Sequence, residues 1–164
     1  MSAGGSDTEN RGQTPIFRPA RRDEAELLRS IAERAYAPYV ERIGRRPAPM
    51  DDDYVARIRE GQAFVAEVDG VVAGLIVLVP GDGHFYIENV AVEPDRQGEG
   101  IGRALLGLAE QRARDLGLPQ LRLYTNVYMT ENLAMYPKLG YRETGRRREH
   151  GFDRVYFARS ICDD

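Results

Sequence analysis

The sequence predicts an α/β fold in which a mixed sheet is covered by helices. Segments with strand and helix periodicity follow one another as strand, helix, helix, three strands, helix, strand, helix and two strands. The 164 residues, of which 42% are hydrophobic and 30% charged, fit one compact domain. We therefore expect about seven strands and about four helices around one main core.

The N-terminal part of the chain predicts a tail, a short strand and two helices. Residues 1–14 are polar, so we expect a flexible tail ahead of a domain at residues 15–162. A strand begins near Pro15. Asp23 is placed to cap the first helix, and Asp51 to cap a second one. The apolar face of the first helix comprises Leu27, Leu28, Ile31, Ala32 and Ala35.

The remaining elements follow from alternation and turn residues. Asp69-Gly70 and His150-Gly151 predict two hairpin turns. The predicted strands span residues 63–68, 71–79, 85–92, 121–126, 141–147 and 152–161. Helices are predicted from about residue 101 to residue 116 and at residues 130–139.

Charge and cysteine content argue against several classes of protein. The formal net charge of -3 does not favour a nucleic-acid partner, and the longest apolar run, residues 71–79, is too short to span a membrane. Cys162 is the only cysteine, which fits a reducing cytoplasm. His84 and His150 lack a ligand-like spacing, so we expect no metal.

A glycine-rich loop at residues 97–102 lies between a predicted strand and a predicted helix. Glycines let backbone N–H groups approach an anion, and the helix dipole adds favourable charge. The alternative interpretation is a tight turn without a ligand. A Walker loop is excluded because no Gly-Lys-Ser/Thr follows, and a Rossmann pattern starting at Gly98 fails at Arg103.

Two motifs carry a resemblance to a known family. Gln97-x-x-Gly100-x-Gly102 follows a strand that ends in Asn-Val-Ala-Val-Glu-Pro, and Tyr136-Pro-Lys-Leu-Gly-Tyr lies further along the chain. In this order they resemble the GNAT superfamily of N-acetyltransferases over residues 16–161. The resemblance implies a GNAT-like fold, with a central mixed, mostly antiparallel sheet of about seven strands flanked by about four helices.

The resemblance also implies acetyl-CoA as cosubstrate. Its pantetheine arm would pair with the backbone of Val90 and Val92. In many members an asparagine precedes the motif tyrosine by about two helical turns, whereas Asn132 precedes Tyr136 by one turn. The pyrophosphate would be held by the backbone N–H groups of Gln97, Gly98, Glu99, Gly100, Ile101 and Gly102. The side chains of Arg96 and Arg103 would assist in binding it.

Two side chains are candidates for proton transfer. Strand alternation is expected to place Glu88 on the same face as Val90 and Val92, where it or a water would deprotonate the amine. Tyr136 resembles the family tyrosine that protonates the leaving thiolate. The alternative interpretations are that Glu88 is a solvated carboxylate on a strand and that Tyr136 is an aromatic residue of the core.

The sequence predicts direct acetyl transfer to a primary amine of a small molecule or a protein. Asp51, Asp52 and Asp53 would attract a cationic amine, and the arginines at 146–148 would pair with a carboxylate, unless both groups are merely solvated. The competing hypothesis is a catalytically inactive CoA-binding sensor or interaction module. Family resemblance also allows a homodimer.

Overall fold

The structure, a computed structural model, describes residues 14–161. Cys162 and the predicted tail, apart from Thr14, lie outside the described residues. Within this range seven strands form one sheet. They are β1 (Ile16–Pro19), β2 (Ala63–Val68), β3 (Val71–Pro80), β4 (Phe85–Val92), β5 (Gln120–Asn126), β6 (Arg142–Glu149) and β7 (Phe152–Ser160).

The strand order of the sheet is β1-β2-β3-β4-β5-β7-β6. The pair β4 and β5 is parallel, and every other neighbouring pair is antiparallel. The predicted mixed, mostly antiparallel sheet is therefore confirmed. No helix in residues 14–161 is long and apolar enough to cross a membrane.

Four α-helices accompany the sheet: α1 (Ala25–Ile43), α2 (Tyr54–Arg59), α3 (Ile101–Asp115) and α4 (Thr130–Lys138). Both predicted helix caps are wrong, because short 3-10 turns precede α1 and α2 and move the helix starts. Asp23 lies within the first of these turns. Asp53, rather than Asp51, caps α2 by accepting a hydrogen bond from the Ala56 N–H at 3.1 Å.

Apolar side chains form one cluster on each face of the sheet. The predicted face of α1 supplies Leu28, Ile31 and Ala32 to one cluster, together with residues of α2 and the central strands. On the other face α3 packs through residues such as Leu105 and Ala109. Gly74 permits this close approach, because a Cβ there would lie 2.9 Å from the Ala91 carbonyl oxygen and 3.3 Å from Leu105.

Strand β4 changes its environment in the middle. It pairs with β5 only at Phe85, Tyr86 and Ile87, so its later residues have no partner on that side. On the β3 side Ile87 pairs with Leu78 and Asn89 pairs with Val77, which leaves Glu88 as the extra residue of a β-bulge. The sheet is thus open beside the last five residues of β4.

Candidate active site

A groove of about 510 Å³ lies where β4 and β5 separate. Its walls come from the end of β4, the glycine loop, one face of α1 and the start of α4. Arg42 of α1 pairs with Glu131 of α4 at 2.7 Å and links two of these walls. The predicted site residues that line the groove are Val90, Val92, Gln97, Gly98, Gly100, Ile101, Gly102, Arg103, Asn132 and Tyr136.

The glycine loop leaves the first N–H groups of α3 without a side-chain cap. Gly100 is the N-cap of α3, and its φ of 85° lies in the left-handed region. Gly98 has a φ of 88°, also left-handed. Because a helix start of this kind carries unpaired N–H groups and the positive end of the dipole, it suits an anion.

Glu99 is the one residue of the loop at 97–102 that does not line the groove. Its carboxylate is paired with Arg96, with 3.6 Å between Glu99 Oε1 and Arg96 Nε. Arg96 lines the groove. A carboxylate facing the groove would repel a phosphate, so the orientation of Glu99 favours anion binding through its backbone alone.

Helix α4 brings Asn132 and Tyr136 to the groove. The Nδ2 group of Asn132 donates to Thr125 Oγ1 at 3.0 Å and so ties α4 to the end of β5. The Tyr136 ring is 7% exposed and contacts the rings of Tyr141 and Phe157. Burial raises the pKa of Tyr136 to about 12, which keeps the hydroxyl protonated at neutral pH.

The sequence analysis missed a buried polar network around Asn89. Tyr36 Oη donates to Asn89 Oδ1 at 2.7 Å and approaches the Val90 carbonyl oxygen at 3.1 Å, and Asn89 Nδ2 donates to Tyr54 Oη at 2.9 Å. Tyr54 Oη in turn donates to the Pro49 carbonyl oxygen. The network joins α1, α2 and the preceding loop to the bulge of β4. The available signal was an asparagine, flanked by Glu88 and Val90, at a strand position that is expected to be largely buried.

Glu88 does not line the groove, and the alternation argument for its position is wrong. The bulge interrupts the alternation, so Val90 and Val92 pack on the α3 side. The charged neighbours of Glu88 are instead Arg57 and Asp52, near α2, and Arg154.

Burial raises the pKa of the Glu88 carboxyl, an effect that nearby Arg57 opposes and Asp52 reinforces. A carboxyl with a raised pKa is a better proton acceptor than an exposed one. Its place on the bulge gives Glu88 access to the open segment of β4 from the side opposite the α3 cluster.

The histidines take no part in this arrangement. His84 Nδ1 lies 3.0 Å from the carbonyl oxygen of Asp82 within its own turn. Across residues 14–161, no three His, Cys, Asp or Glu side chains are grouped as a metal site would require.

The chain resembles several known acetyltransferases. It is 35% identical over 92 residues to the IAA acetyltransferase of Azospirillum brasilense, an alignment that covers 55% of this chain and 60% of that protein. With N-acetyltransferase 8F1 of Rattus norvegicus it shares 30% identity over 142 residues, 82% of this chain and 63% of the relative. The chain thus spans less than two thirds of either relative.

Comparison with solved structures shows a shared fold, and comparison with family models shows the family. The PaiA N-acetyltransferase of Thermoplasma acidophilum, solved in complex with coenzyme A, has the same fold at a TM-score of 0.72 and 19% identity, over 90% of this chain and 99% of that one. The acetyltransferase (GNAT) family model matches residues 26–141. The chain therefore belongs to the GNAT acetyltransferase family.

Proposed function

We propose that this protein transfers an acetyl group from acetyl-CoA directly to a primary amine of a small molecule or a protein. The observation that carries the proposal is the groove in which the open edge of β4, the glycine loop and Tyr136 lie together. The Glu88 side chain lies on the opposite face of the same segment of β4. A donor and an acceptor can therefore meet at this strand without competing for one space.

The coenzyme is assigned to the groove. N–H groups of residues 97–102 bind the pyrophosphate, aided by the α3 dipole and by Arg96 and Arg103. The unpaired backbone of β4 around Val90 and Val92 binds the pantetheine arm as an added strand would. The similar PaiA N-acetyltransferase was solved in complex with coenzyme A, which supports coenzyme A as the ligand of this chain.

Proton transfer is assigned to the two candidate side chains. A primary amine with a pKa of roughly 10 is mostly protonated at pH 7, so Glu88, directly or through a water, removes a proton before attack. A backbone N–H of β4 stabilises the oxyanion of the tetrahedral intermediate. As the C–S bond breaks, the thiolate takes a proton from Tyr136, and the extra proton on the acylated nitrogen passes through water to the tyrosinate, which gives the neutral amide and restores Tyr136.

Thiol release from acetyl-CoA, measured with a thiol reagent across a panel of amines, tests the proposal. We expect amine-dependent release, an acetylated amine by mass spectrometry and the same rate in Cys162→Ser, since the transfer is direct. Calorimetric binding of acetyl-CoA without release for any amine would favour the inactive CoA-binding module. Absence of both binding and release would refute the proposal. A cytoplasmic location and a homodimer stay predictions from the sequence.

A further inference from the structure

A second pocket lies on the open face of the sheet, beyond the helices that cover β1 to β4. A row of tyrosine rings crosses this face from β4 to β7, with centroids 6.2 Å apart for Tyr86 and Tyr124 and 5.8 Å apart for Tyr124 and Tyr156. The pocket beside this row has a volume of about 400 Å³. We call it the arginine pocket, and its main lining residues are Tyr86, Arg122, Gly145, Arg146, Arg147 and Tyr156.

Two arginines of this pocket have no acidic partner in the described part of the chain. Arg122 Nε donates to the neutral Gln120 Oε1 at 2.6 Å, and the Arg147 guanidinium lies 4.0 Å above the Tyr156 ring centroid. By contrast, Arg146 pairs with Glu143 at 2.9 Å and Arg148 with Asp153 at 3.2 Å. The pocket therefore holds two uncompensated guanidinium groups in a protein of net charge -3.

The Tyr156 hydroxyl is a second feature of the pocket. Its hydroxyl is buried and makes no hydrogen bond with any residue in the described range. Gly145 lies opposite Tyr156 in the strand register, and a Cβ there would meet nothing within 4 Å. A buried hydroxyl without a hydrogen-bond partner destabilises the fold, and a hydrogen bond to a ligand oxygen or a water removes this cost.

The position of the pocket relative to Glu88 relates it to the proposed reaction. Tyr86, at the rim of the pocket, precedes Glu88 by two residues on β4, and β5 and β7 are its successive neighbours in the sheet. Strand geometry places the backbone of Arg122, on the neighbouring strand, roughly 8 Å from that of Glu88. The Arg147 backbone lies three strands away, but its guanidinium lies over Tyr156, which is two strands or roughly 10 Å from Glu88. The tyrosine rings cover the surface between them, and the Arg154 guanidinium lies 4.1 Å above the Tyr124 ring centroid and pairs with Glu149 at 3.5 Å. At the Glu88 end, Arg57 pairs with Asp52 at 2.9 Å, so Glu88 is the carboxylate there that is left to meet an amine, and the pocket end carries Arg122 and Arg147 without acidic partners.

We infer that the arginine pocket binds a carboxylate or phosphate group of the acceptor while the amine of the same molecule lies at Glu88. The inference rests on the proposed function. The acceptor is then an amine with a distant anionic group and an apolar or aryl spacer. An α-amino acid is too short to reach both ends, and a polyamine would place a cation beside Arg122 and Arg147.

Acetylation kinetics with matched probes test this inference. The probes are aminooctanoate and aminohexyl phosphate, each compared with octylamine and glycine. We expect the kcat/KM of at least one anionic probe to exceed that of octylamine by about tenfold or more, as a charge-assisted hydrogen bond provides. A preference for the carboxylate or for the phosphate identifies which anion the pocket binds. Equal kcat/KM for all amines would overturn the inference and leave the proposed function intact.

Variants separate recognition in the pocket from a general loss of structure. Arg122→Gln and Arg147→Gln should each raise the KM of the preferred anionic probe about tenfold, with kcat and the octylamine reaction unchanged. Arg147→Lys should recover part of the affinity, because it keeps the charge but loses the planar fork. Arg148→Gln is the matched control, since Arg148 is paired with Asp153. A KM increase as large in the control would overturn the inference.

Calorimetry with octanoate, which has an anion but no amine, tests the pocket without catalysis. We expect binding to the parent protein and about tenfold weaker binding to Arg147→Gln. Equal binding to both proteins, or no binding to either, would overturn the inference whether or not acetyl transfer occurs. Failure of the proposed function would appear separately, as absent thiol release with every amine.

Discussion

Replacing Tyr136 by phenylalanine isolates the role of one oxygen atom. The ring keeps its contacts with Tyr141 and Phe157, whose centroids lie 5.4 Å and 5.7 Å away. The Tyr136 hydroxyl forms no hydrogen bond with another described side chain or backbone group, so its loss leaves no orphaned partner. We therefore expect the thermal stability of Tyr136→Phe to match that of the parent protein.

The expected loss of rate follows from the state of the hydroxyl. With a pKa of about 12, Tyr136 is protonated over the whole practical pH range, which is the state that the proposed donation to the thiolate needs. General acid catalysis contributes about 10²–10⁴ in rate, and a thiolate leaves readily enough to favour the lower figure. We expect kcat to fall about 10²-fold, or about 2.7 kcal/mol, with the KM for acetyl-CoA unchanged.

Steady-state thiol release at the pH optimum measures this loss, and Tyr141→Phe is the control. Tyr141 is 3% exposed, its hydroxyl is buried without a partner and it does not line the groove. It should therefore keep full kcat. Unchanged turnover in Tyr136→Phe, or an equal loss in both variants, would show that the acid is not Tyr136.

Substitutions at three further positions test the strand and the loop. Glu88→Gln should move the acidic limb of the pH–rate profile toward the pKa of the amine, and an unaltered limb would exclude Glu88 as the base. Burial raises the pKa of Glu88 in the folded protein above its value in the unfolded chain, so the ionised carboxylate lowers the free energy of unfolding at pH values above the folded-state pKa. Below the unfolded-state pKa the carboxyl is protonated in both states and this cost is absent. Thermal melts should therefore show Glu88→Gln as more stable than the parent protein at pH 7 and equally stable near pH 3. Gly100 has a φ of 85°, which an alanine rarely adopts, so Gly100→Ala should distort the loop and weaken acetyl-CoA binding about tenfold, as measured by calorimetry. The control is Gly107→Ala on α3, where a Cβ meets open space, and this variant should bind acetyl-CoA as the parent protein does. Asn89→Ala removes two buried hydrogen bonds and should cost about 2–3 kcal/mol in urea unfolding; a cost below about 0.5 kcal/mol would mean that the network does not stabilise β4.

Elements with a strong local pattern were predictable from the sequence. The turn residues that bound residues 63–68 and 85–92 predicted β2 and β4 with their observed bounds, and Asp69-Gly70 forms the expected turn with both residues at positive φ. The glycine loop and α3 followed in the same way. Each of these features depends on residues that are close together in the sequence.

Features that depend on distant partners were not predictable. The bulge at Glu88 exists only in the pairing of β4 with β3, so alternation along β4 alone gave the wrong face. Asn89 meets Tyr54 and Tyr36, which precede it by 35 and 53 residues. Likewise, the arginines at 146–148 look equivalent in sequence, yet only Arg147 lies over Tyr156 without a carboxylate partner.

In the proposed reaction, the bulge lets one strand contact two substrates. Before it, β4 is fixed by β5, and after it the strand edge is free because β5 diverges. A regular strand would place a residue at position 88 on the same face as 90 and 92, against the α3 side where the coenzyme is assigned. The extra residue moves Glu88 to the side of Arg57 and Asp52, and the Asn89 network holds it there. The proposed base and the proposed coenzyme site are therefore separated by the thickness of a single strand, which is the arrangement that direct transfer from thioester to amine requires.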